Sequence, residues 1–216
     1  MTGIRHRPPP ISSFLPAETV DMMMHYGGDL PRDFAVEEQM TVLFTDLRKF
    51  TQFSEEHDPH RIYETLNASI SLQTRIVARH HGSVNKFLGD GILAIFAGEE
   101  RTANACRCMV DMARELPQIK REDADYQSCG VGFGMQDGKV LYCLLGDEHR
   151  REFTVIGDVP NTAARLCGSA NAFEGLMTEE CVRRLPEALV ADHVAFYREM
   201  RLRGKRRPVR VYRIRP

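Results

Sequence analysis

The chain has 216 residues, of which 43% are hydrophobic and 27% charged, with a formal net charge of −1. That is enough for one domain with a real core, or one domain plus an appendage, and the near-neutral balance argues against bulk nucleic-acid binding. No stretch approaches the roughly 20 apolar residues needed to span a bilayer.

Met1 to Pro10 is basic and proline-rich with no apolar core behind it, which does not read as a secretory signal. Residues 1 to about 16 read as a flexible tail. Ala17 to Tyr26 is a short helix candidate with Val20, Met23 and Met24 on one side, stopped by Gly27-Gly28. A first strand follows at about 39–45. From Pro59 to His81 the pattern is helical, with Ile62, Leu66, Ile70, Gln73 and Val77 at 3–4 spacing. Strands at 83–88 and 91–96 pair as a hairpin through Gly89-Asp90-Gly91, since Asp-Gly is a strong hairpin signal.

A second helix spans about Thr102 to Leu116, with Ala103, Cys106, Val110 and Ala113 inward, and a charged loop covers 117–125. Runs at 127–135 and 139–146 flank Asp137-Gly138 and predict another hairpin. Phe153 to Ile156 is a short strand, and Asp158 and Pro160 open a helix to about Leu166, with Pro in the first turn. Beyond lie a strand at 175–178, a helix at 179–185, and strands near 192–199 and 208–214. The order predicts an α+β fold with a ferredoxin-like βαββαβ core and a C-terminal α/β extension. Six cysteines without C-x-x-C spacing read as buried, reduced thiols in a cytoplasmic protein.

Chemistry concentrates at two aspartates about forty positions apart. Asp46 ends the strand-like run from Met40, and Asp90 sits in the Gly-Asp-Gly turn. An isolated Asp in a turn is ordinarily a turn former. Brought together, the two make a carboxylate pair for hard divalent cations, which take their other ligands from water and substrate phosphates. Nucleotide phosphate chemistry is therefore the leading reading.

Three segments carry a family resemblance: Thr41 to Leu47, Gly82 to Gly91, and Phe153-Thr154-Val155-Ile156-Gly157-Asp158-Val159-Pro160-Asn161-Thr162-Ala163-Ala164-Arg165-Leu166. In that order they resemble the catalytic domain of class III nucleotidyl cyclases, over roughly residues 38–214. On this resemblance residues 38–216 form the catalytic domain, and 1–37 a tail and connector helix.

The resemblance implies that Asp46, Asp90 and the Leu47 carbonyl hold two Mg²⁺ or Mn²⁺ ions per site. It implies that Lys86 and Thr154 select the base, Lys86 donating to adenine N1 and Thr154 accepting from the exocyclic amine. Asn161 would orient the ribose and Arg165 would stabilise charge on the α-phosphoryl group. The amides around Phe50 and Thr51 would cradle phosphates, and Arg203, then Lys205, would meet the terminal phosphate. Both half-sets of site residues are present, so a head-to-tail homodimer with shared sites is implied.

The expected activity is that of an adenylyl cyclase, converting ATP to 3′,5′-cyclic AMP and pyrophosphate by two-metal in-line attack. Two alternatives stand beside it: a guanylyl cyclase using GTP, and an inactive cyclase-like regulatory module. No Gly-Gly-(Asp/Glu)-Glu-Phe run of a diguanylate cyclase is present. Three positions depart from the family pattern: Lys49 where glycine is usual, Pro160 before Asn161, and Gln136-Asp137 at the expected turn. The basic run at 201–216, eight cationic side chains with no acidic one, has as its alternative use pairing with another domain or an acidic patch. Residues 11–28 resemble the connector preceding such domains, which leaves open a piece of a larger signalling protein or a complete small enzyme.

Overall fold

The computed structural model describes residues 33–119 and 129–216, with a few isolated positions nearer the N-terminus. The expected tail, most of the Ala17–Tyr26 helix and the far part of the charged loop lie outside the described residues. The elements are β1 (Ala35–Leu47), α1 (Phe50–Glu56), α2 (Pro59–Arg79), β2 (Ser83–Phe87), β3 (Ile92–Phe96), α3 (Arg101–Glu115), β4 (Val131–Gly146), β5 (Arg151–Ile156), α4 (Asp158–Ser169), β6 (Gly175–Thr178), α5 (Glu179–Val182), α6 (Glu187–His193), β7 (Val194–Met200) and β8 (Val209–Ile214).

The sheet order is β2-β3-β1-β4-β6-β8-β7, with β5 also paired to β4. Its first four strands have the ferredoxin-like order, and the remaining elements form the C-terminal extension. Period-two alternation along β1 decides which residues face which layer. Leu43 and Leu47 join a core with Ile76 and Val77 of α2 and with Met109 and Met112 of α3. On the other face Met40 and Val42 pack with Tyr142, Phe153, Val159 and Ala163. α4 therefore lies across the sheet from α2 and α3.

The expected hairpin at Asp137-Gly138 is not formed. β4 runs unbroken through both residues, because the 13-residue β1 supplies an antiparallel partner along almost its whole length, from Leu47 opposite Val131 to Ala35 opposite Cys143. The opposite edge of β4 is divided, with β6 parallel at Phe133–Met135 and β5 antiparallel at Leu141–Gly146. Asp137 is fully buried and heavily bonded. Its carboxylate accepts from Thr41 Oγ1 at 2.8 Å, Thr102 Oγ1 at 3.0 Å and Arg101 Nε at 2.7 Å, and Arg184 Nε lies 2.8 Å away. The local turn signal yields to a partner strand and four donors.

Other boundaries shift for local reasons. The helix expected at 179–185 is only α5, and a separate α6 begins after Pro186, where proline interrupts helical bonding. β7 accordingly starts at Val194 rather than near 192. All six cysteines are buried free thiols. Burial pushes Cys106, Cys167 and Cys181 up to about 12. No helix among the described residues is long and apolar enough to cross a membrane.

Candidate active site

Asp46 and Asp90 meet at the ends of β1 and the β2–β3 turn. The turn is closed by Leu88 N–H donating to Gly91 C=O at 2.9 Å. Gly91 lies so close to β1 that a Cβ there would overlap the Thr45 carbonyl, so no other residue fits without moving the turn. The Asp90 carboxyl is pushed above the usual aspartate range, first by burial, then by the neighbouring Asp46 charge and a hydrogen bond to it. A neighbouring like charge disfavours the ionised form of Asp90.

That is the electrostatic setting a hard cation relieves, and an all-oxygen pair suits Mg²⁺ or Mn²⁺. Among the described residues there is no cluster of three or more His, Cys, Asp or Glu side chains able to hold a metal. An ion here would draw the rest of its coordination from backbone, water and substrate. Leu47 is buried at the last rung of the β1–β4 ladder, opposite Val131.

Sequence reasoning missed Arg48. Its guanidinium donates to the Asp46 backbone carbonyl from Nε and an Nη, at 3.2 and 3.0 Å, and meets the Asp46 carboxylate at 2.9 Å. It lies over Gly132, the ladder partner of Asp46, where a side chain would collide with it. A cation two residues after the first aspartate was the available signal.

Lys49 occupies the left-handed region at φ 56°, as residue before α1. Glycine is the residue such a backbone favours, which accounts for the family's usual glycine. Phe50 and Thr51 then open α1, whose first amides have no partner within the helix.

Lys86 and Thr154 come together from β2 and β5. Lys86 Nζ donates to Thr154 Oγ1 at 2.9 Å and is ion-paired with Glu152. Glu152 was not singled out from sequence. It shares a strand face with Thr154 two positions on, and its bond to Lys86 holds its carboxyl below the usual glutamate range.

Lys86, Thr154 and Asn161 line a cavity of about 270 Å³ with Phe44, Leu93 and Pro160. Pro160 falls in the first turn of α4, where its missing N–H breaks no helical bond. α4 sits tightly on the sheet because Gly134 faces the Ala163 and Cys167 backbone, leaving no room for a Cβ.

One turn beyond Asn161, the Arg165 guanidinium lies against Gly204, a Cβ on which would be 3.3 Å away. Arg165 thus neighbours the β7–β8 turn bearing Arg203 and Lys205. Arg203 is exposed, and Lys205 is ion-paired with Asp158. Neither Asp46 nor Asp90 lines this cavity or the adjoining one of about 350 Å³ formed by Lys86, Leu145, Gly146, Arg150, Glu152 and Thr154.

The sequence model of the adenylate and guanylate cyclase catalytic domain matches residues 34–215. The chain belongs to this family. Among curated relatives, an uncharacterized protein of Mycobacterium tuberculosis is 32% identical over 185 residues, 81% of this chain and 32% of that protein. An adenylate cyclase of Anabaena cylindrica is 28% identical over 186 residues, 82% of this chain and 36% of that one. The chain spans about a third or less of the curated relatives it matches.

Solved structures share the fold. A bacterial light-regulated adenylyl cyclase has a TM-score of 0.80 at 21% identity, covering 94% of this chain and 58% of the other. The adenylyl cyclase CyaB from P. aeruginosa gives 0.74 at 23% identity over 85% and 96%. The guanylyl cyclase Cya2 also gives 0.74 at 23%, over 83% and 93%. Enzymes named for either base thus share this fold.

Proposed function

We propose that the cyclase domain is an adenylyl cyclase, making 3′,5′-cyclic AMP and pyrophosphate from ATP. The observation that carries this reading is the Lys86–Thr154 hydrogen bond on the wall of a cavity shared with Asn161. An ammonium has three donors; Thr154 and Glu152 engage two, leaving one for the adenine N1 acceptor. The Thr154 oxygen keeps a lone pair for the exocyclic amine. Guanine offers N1–H and O6 in the opposite sense and would set a donor against a donor. The relatives named adenylate cyclase support the same base.

In the reaction the ribose 3′-hydroxyl gives up its proton to solvent, its oxygen bonds to the α-phosphorus, the bond from the α-phosphorus to the α–β bridging oxygen breaks, and pyrophosphate leaves with the electron pair. Asn161 holds the ribose, and Arg165, one helical turn on, takes up charge developing on the α-phosphoryl oxygens. The α1 amides at Phe50 and Thr51, with Arg203 and Lys205, contact the remaining phosphates, Lys205 exchanging its Asp158 partner for one. Two divalent ions, Mg²⁺ or Mn²⁺, when bound at Asp46, Asp90 and the Leu47 carbonyl, acidify the 3′-hydroxyl and neutralise the leaving group.

A second copy completes each site in this reading. The carboxylate pair lies outside the base-side cavity of its own chain; exposed Leu88 and Ile156 line that cavity and exposed Leu145 the adjoining one. A head-to-tail homodimer brings one copy's carboxylates to the other's Lys86, Thr154, Asn161 and Arg165, giving two equivalent sites. The catalytic domain then comprises residues 38–216 together with the start of β1 from Ala35.

Purified protein supplied with Mg²⁺ or Mn²⁺ and either ATP or GTP should yield cyclic AMP in clear excess. Predominant cyclic GMP would reassign the base, and no product from either nucleotide would favour the regulatory-module reading. Mixing inactive Asp46→Ala with inactive Arg165→Ala should restore part of the activity through one intact site. Proven heterodimers without activity would defeat the shared site.

A further inference from the structure

Helix α2 hides a polar stripe. Thr65, Ser69 and Gln73, four residues apart, are each 0% exposed, within a helix otherwise packed through Ile76 and Val77. A buried amide is costly unless bonded, and an apolar side chain would fill the same core position without that burden. Gln73 is bonded at both ends. Its Nε2 donates to Ser69 Oγ at 3.0 Å, and its Oε1 accepts from Thr45 Oγ1 at 2.6 Å. The same Thr45 oxygen accepts from Ile92 N–H at 3.0 Å.

The position of this link is what gives it meaning. Regular pairing between β1 and β3 runs from Thr41 opposite Phe96 to Phe44 opposite Leu93. At the next step the Ile92 amide is taken by the Thr45 hydroxyl, while Gly91 comes up against the Thr45 carbonyl. Thr45 immediately precedes Asp46, and Ile92 follows Asp90 by two residues. One hydroxyl therefore ties together the two backbone stretches that carry the carboxylate pair.

Thr45 shares the face of Leu43 and Leu47, toward α2, whereas Asp46 shares the face of Val42, toward α4. Gln73 is thus behind the sheet and cannot reach substrate or a bound ion. It fixes the Thr45 rotamer by accepting the hydroxyl's hydrogen bond, leaving an oxygen lone pair for the Ile92 N–H.

We propose that Gln73 is a positioning residue for the Asp46–Asp90 pair, acting through Thr45 from the opposite face of the sheet, and so sets the pair's affinity for a divalent cation. The proposal rests on the reading of that pair as the cation site. Groups that hydrogen-bond a metal ligand directly cost about 10- to 100-fold in metal affinity when removed; Gln73, one bond further back, belongs at the lower end of that range.

The test is Mn²⁺ binding to the full chain without nucleotide, following free Mn²⁺ by electron paramagnetic resonance, with folding checked by circular dichroism. Gln73→Met keeps the side chain's length and loses both hydrogen bonds; it should weaken Mn²⁺ binding about tenfold. Thr45→Val should act in the same direction, and Thr45→Ser, which keeps the hydroxyl, should restore near-normal affinity. Folded Gln73→Met with wild-type Mn²⁺ affinity overturns the proposal. If that variant does not fold, Ser69→Ala takes its place, with a smaller loss expected and an unchanged affinity equally fatal. Asp90→Asn separates the two levels: if it binds Mn²⁺ like wild type, the cation-site reading itself falls, and the proposal with it.

Discussion

Two aspartate sites sit in one sheet and are built in opposite ways. Asp137 is a fully buried carboxylate saturated by two arginines and two threonine hydroxyls. Asp46 and Asp90 are only part-buried, face each other as like charges, and have Arg48 on one side of Asp46. The first arrangement uses up every strong acceptor position and ties β4 to β1, α3 and the segment after α5. The second leaves carboxylate oxygens with incomplete compensation. A carboxylate that the fold has satisfied is structural; a pair the fold has left frustrated is available for a ligand, at some expense to stability.

Substitution should expose this contrast. The largest expected effect is on catalysis: Asp46→Ala or Asp90→Ala should abolish turnover, read by cyclic-nucleotide formation, and substantial activity in either would sink the cation assignment. The same change should not harm the fold. A carboxyl whose folded-state pKa is raised stabilises the protein only at low pH and loses that contribution as pH rises through the raised value. At neutral pH in metal-free buffer Asp90→Asn should therefore match or exceed the wild-type melting temperature.

Asp137→Ala should behave in reverse. It strands Arg101 and Arg184 around an empty site, and breaking a buried pair in this way costs about 3–5 kcal/mol, a large share of a domain's total. A denaturant midpoint close to wild type would show that the network is not what holds β4 in place. The smallest effect belongs to Lys49→Gly. It relieves a left-handed backbone at a cost in unfolded-state entropy, for a net gain of up to about 1 kcal/mol by chemical denaturation. A loss of stability there would mean that the lysine side chain has found a use at the mouth of the phosphate loop.

Much of the architecture was legible along the chain. The 3–4 spacing of Ile62, Leu66, Ile70, Gln73 and Val77 marked α2, and the Gly-Asp-Gly turn marked the β2–β3 hairpin and Asp90. Gln73 was named there only as one more position of the helical spacing; its chemistry needed Thr45, which only packing supplies. Asp137-Gly138 shows the converse. Asp-Gly between two apolar runs is a sound local turn signal, overruled because β1 is long enough to pair across it. Lys86 and Thr154 were paired only through the family resemblance, and their partner Glu152 went unnoticed, because nothing local connects β2 with β5.

The sequence by itself determined most of the element types and the cyclase family, and it named the groups proposed to react, since periodicity and motif are local properties of the chain. Tertiary structure alone decided which polar groups are spent and which remain free. Thr41 reaches Asp137 across 96 positions and Lys86 reaches Thr154 across 68, and hydrogen bonds over such separations exist only once the sheet has closed. Whether an aspartate is a strut or a ligand depends on what the rest of the chain brings to it.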